Sequence, residues 1–364
     1  MKILVLANND VGLFRFRAEL LSRLLEQHEV YICLPDGAYI PRLVAMGCQF
    51  IPCDLDRHGT NPVKERKLIS FYKKKIKEVR PDVVLTYTIK PNVYGGIVCA
   101  SLKVPYLANI TGLGGAVENK GILQKITMRM YRYGLRKARR VFFQNSANRD
   151  FMAEKGIVRS PHTLLPGSGV NLEKHCFEEY PAEDGTLTFL FIGRLMKDKG
   201  VEEYVNAAKR LREKHPNVRF VAIGGCEDDY KETLATLDAD KYVELLGQQS
   251  DVHGFIKNAH AVVLPSYHEG MANVLLEGAA SGRPVLASDI PGCRETFDEG
   301  VSGIGFAPKN ADSLCEALEK FIALPYDAKA EMGRAGRRKM EREFDRELVV
   351  EAYMKEIQTI VVER

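Results

Sequence analysis

Four side chains offer the most explicit chemistry in this sequence. Arg194 and Lys199 lie within GRLMKDKG (Gly193 to Gly200), and Glu269 and Glu277 lie within PSYHEGMANVLLEGAASGRP (Pro265 to Pro284). The glutamates flank a point where an apolar run, Ala261 to Pro265, reads as a buried strand. A polar turn, Ser266 to Gly270, follows, and then a run with helical spacing, Asn273 to Ser281. Gly282 and Pro284 stop that run, and PVLAS begins another strand. A strand turning into a helix start presents backbone N–H groups and the positive end of the helix dipole, which together hold anions. Were the stretch between the glutamates wholly helical, they would stand ~12 Å apart along the axis. Paired glycosidase carboxylates are closer, about 5 to 9.5 Å. The wider gap suits a long ligand with a hydroxyl-bearing group at each end and a phosphate bridge between them, the layout of a sugar nucleotide. Carboxylates, as pure acceptors, grip vicinal hydroxyls. Two unrelated surface glutamates fit the same spacing.

The cations follow a different apolar run, LTFLFIG (Leu187 to Gly193). Gly193 lets backbone approach a ligand closely. Arg194 can fork onto phosphate oxygens, and Lys199 acts as a point charge. The stretch is not a P-loop, because G-x-x-x-x-G-K-[ST] is absent. A solvated basic turn is the rival reading. It weakens because PSYHEG follows a later strand of the same expected sheet, on the same side.

Those strands belong to a longer pattern. KILVLA reads as strand, Phe14 to Glu26 as amphipathic helix and EVYICLP as strand, followed by DVVLTY, VPYLANI and RVFFQN with helical stretches between. The alternation restarts at LTFLFIG, continues through a helix at Val201 to Lys214, and adds VRFVAIGG, YVELLG, AVVLP and PVLAS. The pattern predicts an α/β chain of two tandem doubly wound, Rossmann-like domains built on parallel sheets. The expected limits are residues 1–175 and 176–345, with a final helix at 346–364 and the joint near Asn171 to Gly185. Ligands of such sheets bind beyond the carboxyl ends of the strands, where all four charged residues fall.

Composition narrows the setting. No run of ~20 apolar residues spans a bilayer. Met1 to Ala7 is too short for a leader's apolar region and reads as the first strand. Eight scattered cysteines without C-x-x-C or His/Cys ligand spacing point to a reducing cytoplasm and away from structural zinc. The net charge of +4 hides an asymmetry. Residues 1–175 carry 28 Lys+Arg against 14 Asp+Glu, a surplus of +14, and the rest carry 24 against 34, or −10. A basic half of this kind points to an anionic partner, either a membrane surface or nucleic acid. Lys125, Arg129, Arg132, Arg136 and Arg140 recur at helical intervals beside Ile122, Ile126, Met130 and Tyr133. Lys64 to Arg80 mixes Lys73, Lys74, Lys75 and Lys77 with Leu68, Phe71, Tyr72 and Ile76. Basic amphipathic helices lie on anionic bilayers, although each stripe also fits a core-facing helix with a solvated back.

GRLMKDKG followed by LPSYHEGMANVLLEGAASGRPVLASD resembles the signature of the retaining family-4 glycosyltransferases with the GT-B fold. TYTIKPNVYGG, NITGLG, QNSANRDFM and LLPGSGVN are similar to a bacterial subgroup acting on polyprenyl-diphosphate-linked acceptors in capsule, O-antigen or glycan assembly. The resemblance spans nearly the whole chain. It implies two domains facing a cleft, with the last helix packing back on the first. Arg194 and Lys199 would bind the donor diphosphate, Glu277 the ribose and Glu269 the donor sugar. The amides of Gly270, Met271, Ala272 and Asn273 would face sugar and phosphate. Ala272 stands where the family pattern usually has Pro, and Gly278 where it usually has Ala. Lys90 stands where many relatives have a His after the strand, so no catalytic base is named.

The expected enzyme is a hexosyl- or N-acetylhexosaminyltransferase using a UDP-sugar. No Asp-x-Asp stands beside the phosphate motifs, so the two cations are expected to replace a metal, and no metal or other cofactor is expected. The first domain is expected to take a lipid-linked acceptor, with His58, Lys90, Gly112 and Gly114 on the acceptor side, while Gly12, in a flexible loop at the crevice near Arg15 and Arg17, is counted with the donor-binding residues. The expected location is the cytoplasmic face of the cell membrane, held peripherally through the basic half. A sugar-nucleotide epimerase on the same architecture is the alternative. A dehydrogenase is disfavoured because G-x-G-x-x-G is absent after the first strand, and nucleic acid because no recognition motif is present.

Overall fold

In the computed structural model, residues 1–54, 61–113 and 121–362 are described. The chain divides into two compact units, residues 1–168 with 347–364, and residues 169–346. The first holds a parallel sheet of β1 (Lys2–Leu6), β2 (Glu29–Leu34), β3 (Gln49–Pro52), β4 (Val83–Tyr87), β5 (Tyr106–Ile110), β6 (Arg140–Phe143) and β7 (His162–Leu164), in the order β3-β2-β1-β4-β5-β6-β7. β4 and β5 are buried along their whole length, since helices cover both faces and no alternation survives. The second unit holds β8 (Leu187–Ile192), β9 (Val218–Ile223), β10 (Glu244–Leu245), β11 (Ala261–Leu264), β12 (Val285–Ser288) and β13 (Gly303–Phe306), again parallel, in the order β10-β9-β8-β11-β12-β13. The sequence pattern omits β3, β7 and β13. Each is an edge strand, and QFIP, HTL and GIGF are too short or too rich in Pro and Gly to stand out.

Both sheets reverse direction of growth once, between β1 and β4 in the first and between β8 and β11 in the second. Such switch points open a crevice beyond the carboxyl ends of the two flanking strands. GRLMKDKG follows β8 and PSYHEG follows β11, so the two motifs meet at the second unit's switch point. Gly12 and Lys90 follow β1 and β4 at the first unit's. The expected loop at Gly12 is instead the first turn of a helix, Asp10–Leu25, capped by Asn9, whose Oδ1 accepts from the Gly12 N–H.

The Arg346–Val362 helix buries Val349, Val350, Tyr353, Ile357 and Ile360 in the same core as Ile3, Val5, Leu85 and Phe142. Each such side chain contributes roughly 1.5–3 kcal/mol by leaving water. Asn109 Nδ2 donates to Tyr353 Oη at 2.6 Å, satisfying the one polar atom that the ring carries inward. Of the apolar residues read from the sequence there, Leu348 is exposed and Phe344 belongs to the second unit's core.

The basic helices also resolve. In Pro62–Val79, Leu68, Tyr72 and Ile76 are buried and the lysines form its solvated back, with Lys74 and Lys75 paired to Glu78. In Ile122–Leu135 the packed face is Thr127, Tyr131 and Leu135, whereas Ile126 and Tyr133 are exposed. Arg140 lies outside that helix. It opens β6 and pairs with Glu356 of the last helix.

Two buried cationic or titratable groups tie the second unit together. Arg283 is fully buried and donates to the carbonyls of Ile256, Lys257, Glu178, Glu179 and Gly282. Burial pushes its guanidinium down to about 10. His260 accepts the Thr188 N–H at Nδ1, 3.1 Å away, while its carbonyl accepts from Tyr180 Oη. Burial pushes its imidazole down to about 4. The unfolded chain therefore takes up a proton at ordinary histidine pH while the folded chain stays neutral. Stability is complete above about pH 6.5 and falls as the pH drops towards 4, by on the order of 3 kcal/mol from this group. Urea unfolding at pH 7 and pH 4.5 should show this loss, and His260→Gln should lose less over the same interval. An equal loss in both proteins would place the pH dependence elsewhere.

Candidate functional site

The loop after β8 and the loop after β11 are fastened to one another. Tyr267 N–H donates to the Asp198 carbonyl at 2.9 Å. Gly200, at φ +72°, closes the first loop against the second, and a Cβ there would lie 2.0 Å from the Pro265 carbonyl oxygen. Only glycine meets both demands. The result brings Lys199 Nζ to 2.5 Å from Glu269 Oε1, which also accepts from Ser266 Oγ at 2.7 Å. Both charged side chains are largely withdrawn from water. Gly292, in the turn after β12, has φ +85° and backs the same loop. A Cβ there would sit 2.6 Å from the Glu269 carbonyl.

The Asn273–Ala280 helix starts directly after this loop, with no side-chain cap at Ala272. Glu277 is helical and Glu269 is not, so the pair does not lie along one helix as the ~12 Å spacing assumed. The departures from the family pattern have local reasons. Ala272 N–H donates to the Gly292 carbonyl at 2.8 Å, a bond that proline cannot make. At Gly278 a Cβ would stand 2.7 Å from Val262 Cγ2, so glycine lets the helix press onto β11. Asn273 N–H donates to the Met271 carbonyl, so of the four expected amides Ala272 and Asn273 already have acceptors. The Asn273 side chain instead offers Oδ1, buried and without a partner among the described residues.

Glu277 lies beside His175, whose Nε2 is 3.9 Å from Glu277 Oε1. Burial pushes the His175 imidazole down to about 3, so it is neutral there and the contact is not an ion pair. Arg194 leaves Gly193 in the same loop as Lys199 but turns to Glu227 in the loop after β9, 2.9 Å away on the surface. Gly193 has room for a methyl within the protein, its Cβ meeting only Phe191 ring carbons at 3.4 Å. Lys199, Glu269 and the uncapped helix start thus form one cluster, Glu277 stands on the same helix, and Arg194 is beside it with its charge engaged elsewhere. Ser266, Gly200, Gly292 and His175 were not singled out from the sequence. Ser266 and Gly200 sit inside the motifs, but their roles depend on which loops meet.

In the first unit, Lys90 is paired with Glu65 at 2.7 Å, both side chains largely withdrawn from water. Arg17 is buried with its guanidinium 5.3 Å from the centre of the Tyr87 ring, and Arg15 reaches Tyr39. Thr86, Asn92 and Asn109 form a buried hydrogen-bonded chain at the carboxyl ends of β4 and β5. Gly112 follows β5, while His58 and Gly114 lie outside the described residues. A groove of about 870 Å³ is lined by Lys125, Arg129, Arg132, Arg136, Lys155 and Arg159, together with Tyr133 and Phe151. A second, apolar groove beside the same helix shares Arg129 and Tyr133 and adds Val93, Ile97, Ile126 and Met130. No helix among the described residues is long and apolar enough to cross a membrane.

Two parallel sheets, each with a switch point and a crevice beyond its strand ends, define a tandem doubly wound α/β architecture, here with a carboxylate–lysine cluster at a helix start. The glycosyl transferases group 1 family matches residues 174–339, and the glycosyl transferase 4-like family matches residues 2–145. With both units matched, the chain belongs to these glycosyltransferases, and its fold is GT-B. It is 25% identical to the N,N'-diacetylbacillosaminyl-diphospho-undecaprenol alpha-1,3-N-acetylgalactosaminyltransferase of Campylobacter jejuni, over 98% of each chain. It is 22% identical to the capsular polysaccharide biosynthesis glycosyltransferase CapM of Staphylococcus aureus, over 96% of this chain and 94% of that one. Among solved structures, Anabaena Alr3699/HepE in complex with UDP and glucose superposes with a TM-score of 0.82 at 16% identity, covering 99% of this chain and all of that one. A glycosyltransferase from Rickettsia africae also reaches 0.82, at 18% identity over 99% and 98%.

The loop geometry separates two glycines by their purpose. Gly200→Ala should lower the thermal midpoint by several degrees and weaken nucleotide binding, because the loops are forced apart. Gly193→Ala should leave the midpoint unchanged, because its methyl has room against Phe191, and should still weaken binding if a ligand approaches the backbone there. Calorimetric titration with UDP beside a melting curve reads both. Unaltered nucleotide binding in Gly193→Ala would remove Gly193 from the site.

Proposed function

We propose that this chain is a retaining transferase that moves a hexosyl or N-acetylhexosaminyl group from a UDP-sugar to a hydroxyl of a lipid-linked glycan during bacterial surface-glycan assembly. The observation that carries the reading is the Lys199–Glu269 pair held at an uncapped helix start on the switch point of the second sheet. The Campylobacter relative's lipid-linked substrate and the UDP and glucose bound by the Anabaena structure support the acceptor and donor classes.

In this reading Lys199 leaves Glu269 for the diphosphate, which offers more than one negative charge against the carboxylate's one. Arg194, in an exposed surface pair, swings to the same phosphates. Glu277 takes the ribose hydroxyls, Glu269 faces the sugar, and Asn273 Oδ1 accepts from a hydroxyl. The bond from the anomeric carbon to the phosphate oxygen breaks while the acceptor oxygen bonds on the same face. The acceptor's proton passes to the departing phosphate oxygen, so no side-chain base is required. The cations and helix start stabilise charge as it builds on that phosphate, an effect worth about 10²–10³ in rate per donor in comparable sites. Once on the phosphates, the two cations do the work of a divalent ion, and transfer proceeds without one.

The first unit takes the acceptor and lies against the inner, anionic face of the membrane. The six cations of its groove support this, as do the exposed Ile126 and Tyr133 beside them. Each cation near such a surface contributes about 1 kcal/mol.

The deciding experiment screens UDP- and GDP-sugars by thermal shift, then follows turnover of the best donor on a short polyprenyl-diphosphate sugar and reads the product's anomeric configuration by NMR. A product with the donor's configuration is expected. Epimerised donor formed without acceptor would make the protein an isomerase instead. Lys199→Ala should cut kcat by about 10²–10³ with a smaller change in donor affinity. Glu277→Ala should weaken nucleotide binding by about 10- to 100-fold, the worth of hydrogen bonds to a charged group. The reverse pattern would exchange the two roles. Flotation with anionic vesicles should show binding that salt weakens, and Arg129→Glu with Arg132→Glu should abolish it. No binding at low salt would detach the chain from the membrane.

A further inference from the structure

Outside the donor cluster, the second unit gathers three metal-ligating atoms that lie far apart in the sequence. Cys176 Sγ stands 3.7 Å from Glu178 Oε1 and 3.7 Å from His253 Nε2, and those two are 3.0 Å from each other. The thiol and the carboxylate come from the segment that leads into the unit, the imidazole from the His253–Asn258 helix. A tetrahedral zinc with bonds of about 2.3 Å to sulfur and about 2.0–2.1 Å to nitrogen and oxygen separates its ligand atoms by roughly 3.3–3.6 Å. The three observed separations bracket that range, so a zinc ion fits with shifts of a few tenths of an ångström.

The surroundings suit a cation of this kind. Glu178 uses only Oε1 towards the cluster, and its Oε2 is held by Lys257 Nζ at 2.9 Å. That outer contact orients the carboxylate as partners of metal ligands do. Cys176 is exposed, which leaves a fourth position open to water and a path for the ion. The mixed sulfur, nitrogen and oxygen set favours zinc or a neighbouring transition metal over magnesium or calcium, which take oxygen ligands.

The geometry points to a binding site for one zinc-class divalent ion, held by Cys176, Glu178 and His253, that clamps the entry segment of the second unit to the His253–Asn258 helix. The Cys176 thiol loses its proton to solvent on binding, and the ion completes its coordination with water. The site is separate from the Lys199–Glu269 cluster and does not depend on the proposed transfer reaction. It does adjoin the donor-side residues, since the His253 ring lies edge-on to His175, with centroids 6.0 Å apart, and His175 lies beside Glu277.

Cobalt is the probe, because cobalt–thiolate bonding gives a charge-transfer absorption that oxygen and nitrogen ligands do not. Titrating the full-length, tag-free reduced protein with Co²⁺ should produce this band at one equivalent, and Zn²⁺ should bleach it. Cys176→Ser should abolish the band while leaving the other seven cysteines in place. His253→Gln should weaken Zn²⁺ binding by at least about 100-fold, beyond what outer partners alone cost. Saturating Zn²⁺ should raise the wild-type thermal midpoint by several degrees and leave both variants unchanged. Absence of the band in wild type, its persistence in Cys176→Ser, or equal Zn²⁺ affinity in His253→Gln would each overturn the site.

Discussion

The close seating of two loops at the switch point of the second sheet is the constraint from which the candidate site follows. Gly200 lies on the Pro265 carbonyl, Tyr267 is bonded to Asp198, and only then does Lys199 reach Glu269. The pair's balance matters more than its presence. At an effective dielectric near 20, unit charges 4 Å apart attract by about 4 kcal/mol. Withdrawing both from water takes back much of that gain. A pair so nearly compensated can exchange partners, and under the proposed function a diphosphate arriving at the helix start would compete with Glu269 for the lysine. Arg194 follows the same logic from a more exposed position, since an ion pair at the surface is worth about 0–1 kcal/mol and yields readily.

The charge asymmetry of the chain acquires a location in the same way. A surplus of +14 in the first 175 residues is not spread evenly over that unit's helices. The lysines of Pro62–Val79 are a solvated back, and two of them answer Glu78. The arginines of Ile122–Leu135 instead share a groove with Lys155 and Arg159, beside apolar side chains that no core covers. Cations next to uncovered apolar surface are what an anionic, partly apolar partner requires. Either property alone would be an ordinary surface feature.

Much of the fold was legible because the central strands are buried on both faces. VVLTY, YLANI and AVVL stand out as mainly apolar runs, broken only by Thr86 and Asn109, whatever packs on them. The edge strands QFIP, HTL and GIGF carry no such signal, since one side needs no partner and pairing comes from the neighbouring strand. Lys199 and Glu269 were legible as motif residues at strand ends. Gly292 was not, because its glycine requirement arises from the loop after the neighbouring β11, about twenty residues away in sequence. The helix Ile122–Leu135 shows the limit of periodicity. Its sequence carries two apolar stripes, and only packing selects Thr127, Tyr131 and Leu135 over Ile126 and Tyr133. The cluster of Cys176, Glu178 and His253 had no local signal at all, as the histidine lies 77 positions from the cysteine.

The central claim concerns where a nucleotide diphosphate binds and which cation it takes. A crystal structure of the full-length protein with UDP or a non-hydrolysable UDP-sugar tests it most directly. The account predicts phosphate oxygens at the start of the Asn273–Ala280 helix, Lys199 moved from Glu269 onto them, and Glu277 against the ribose. A nucleotide bound away from that helix start, with the Lys199–Glu269 pair intact, would contradict it.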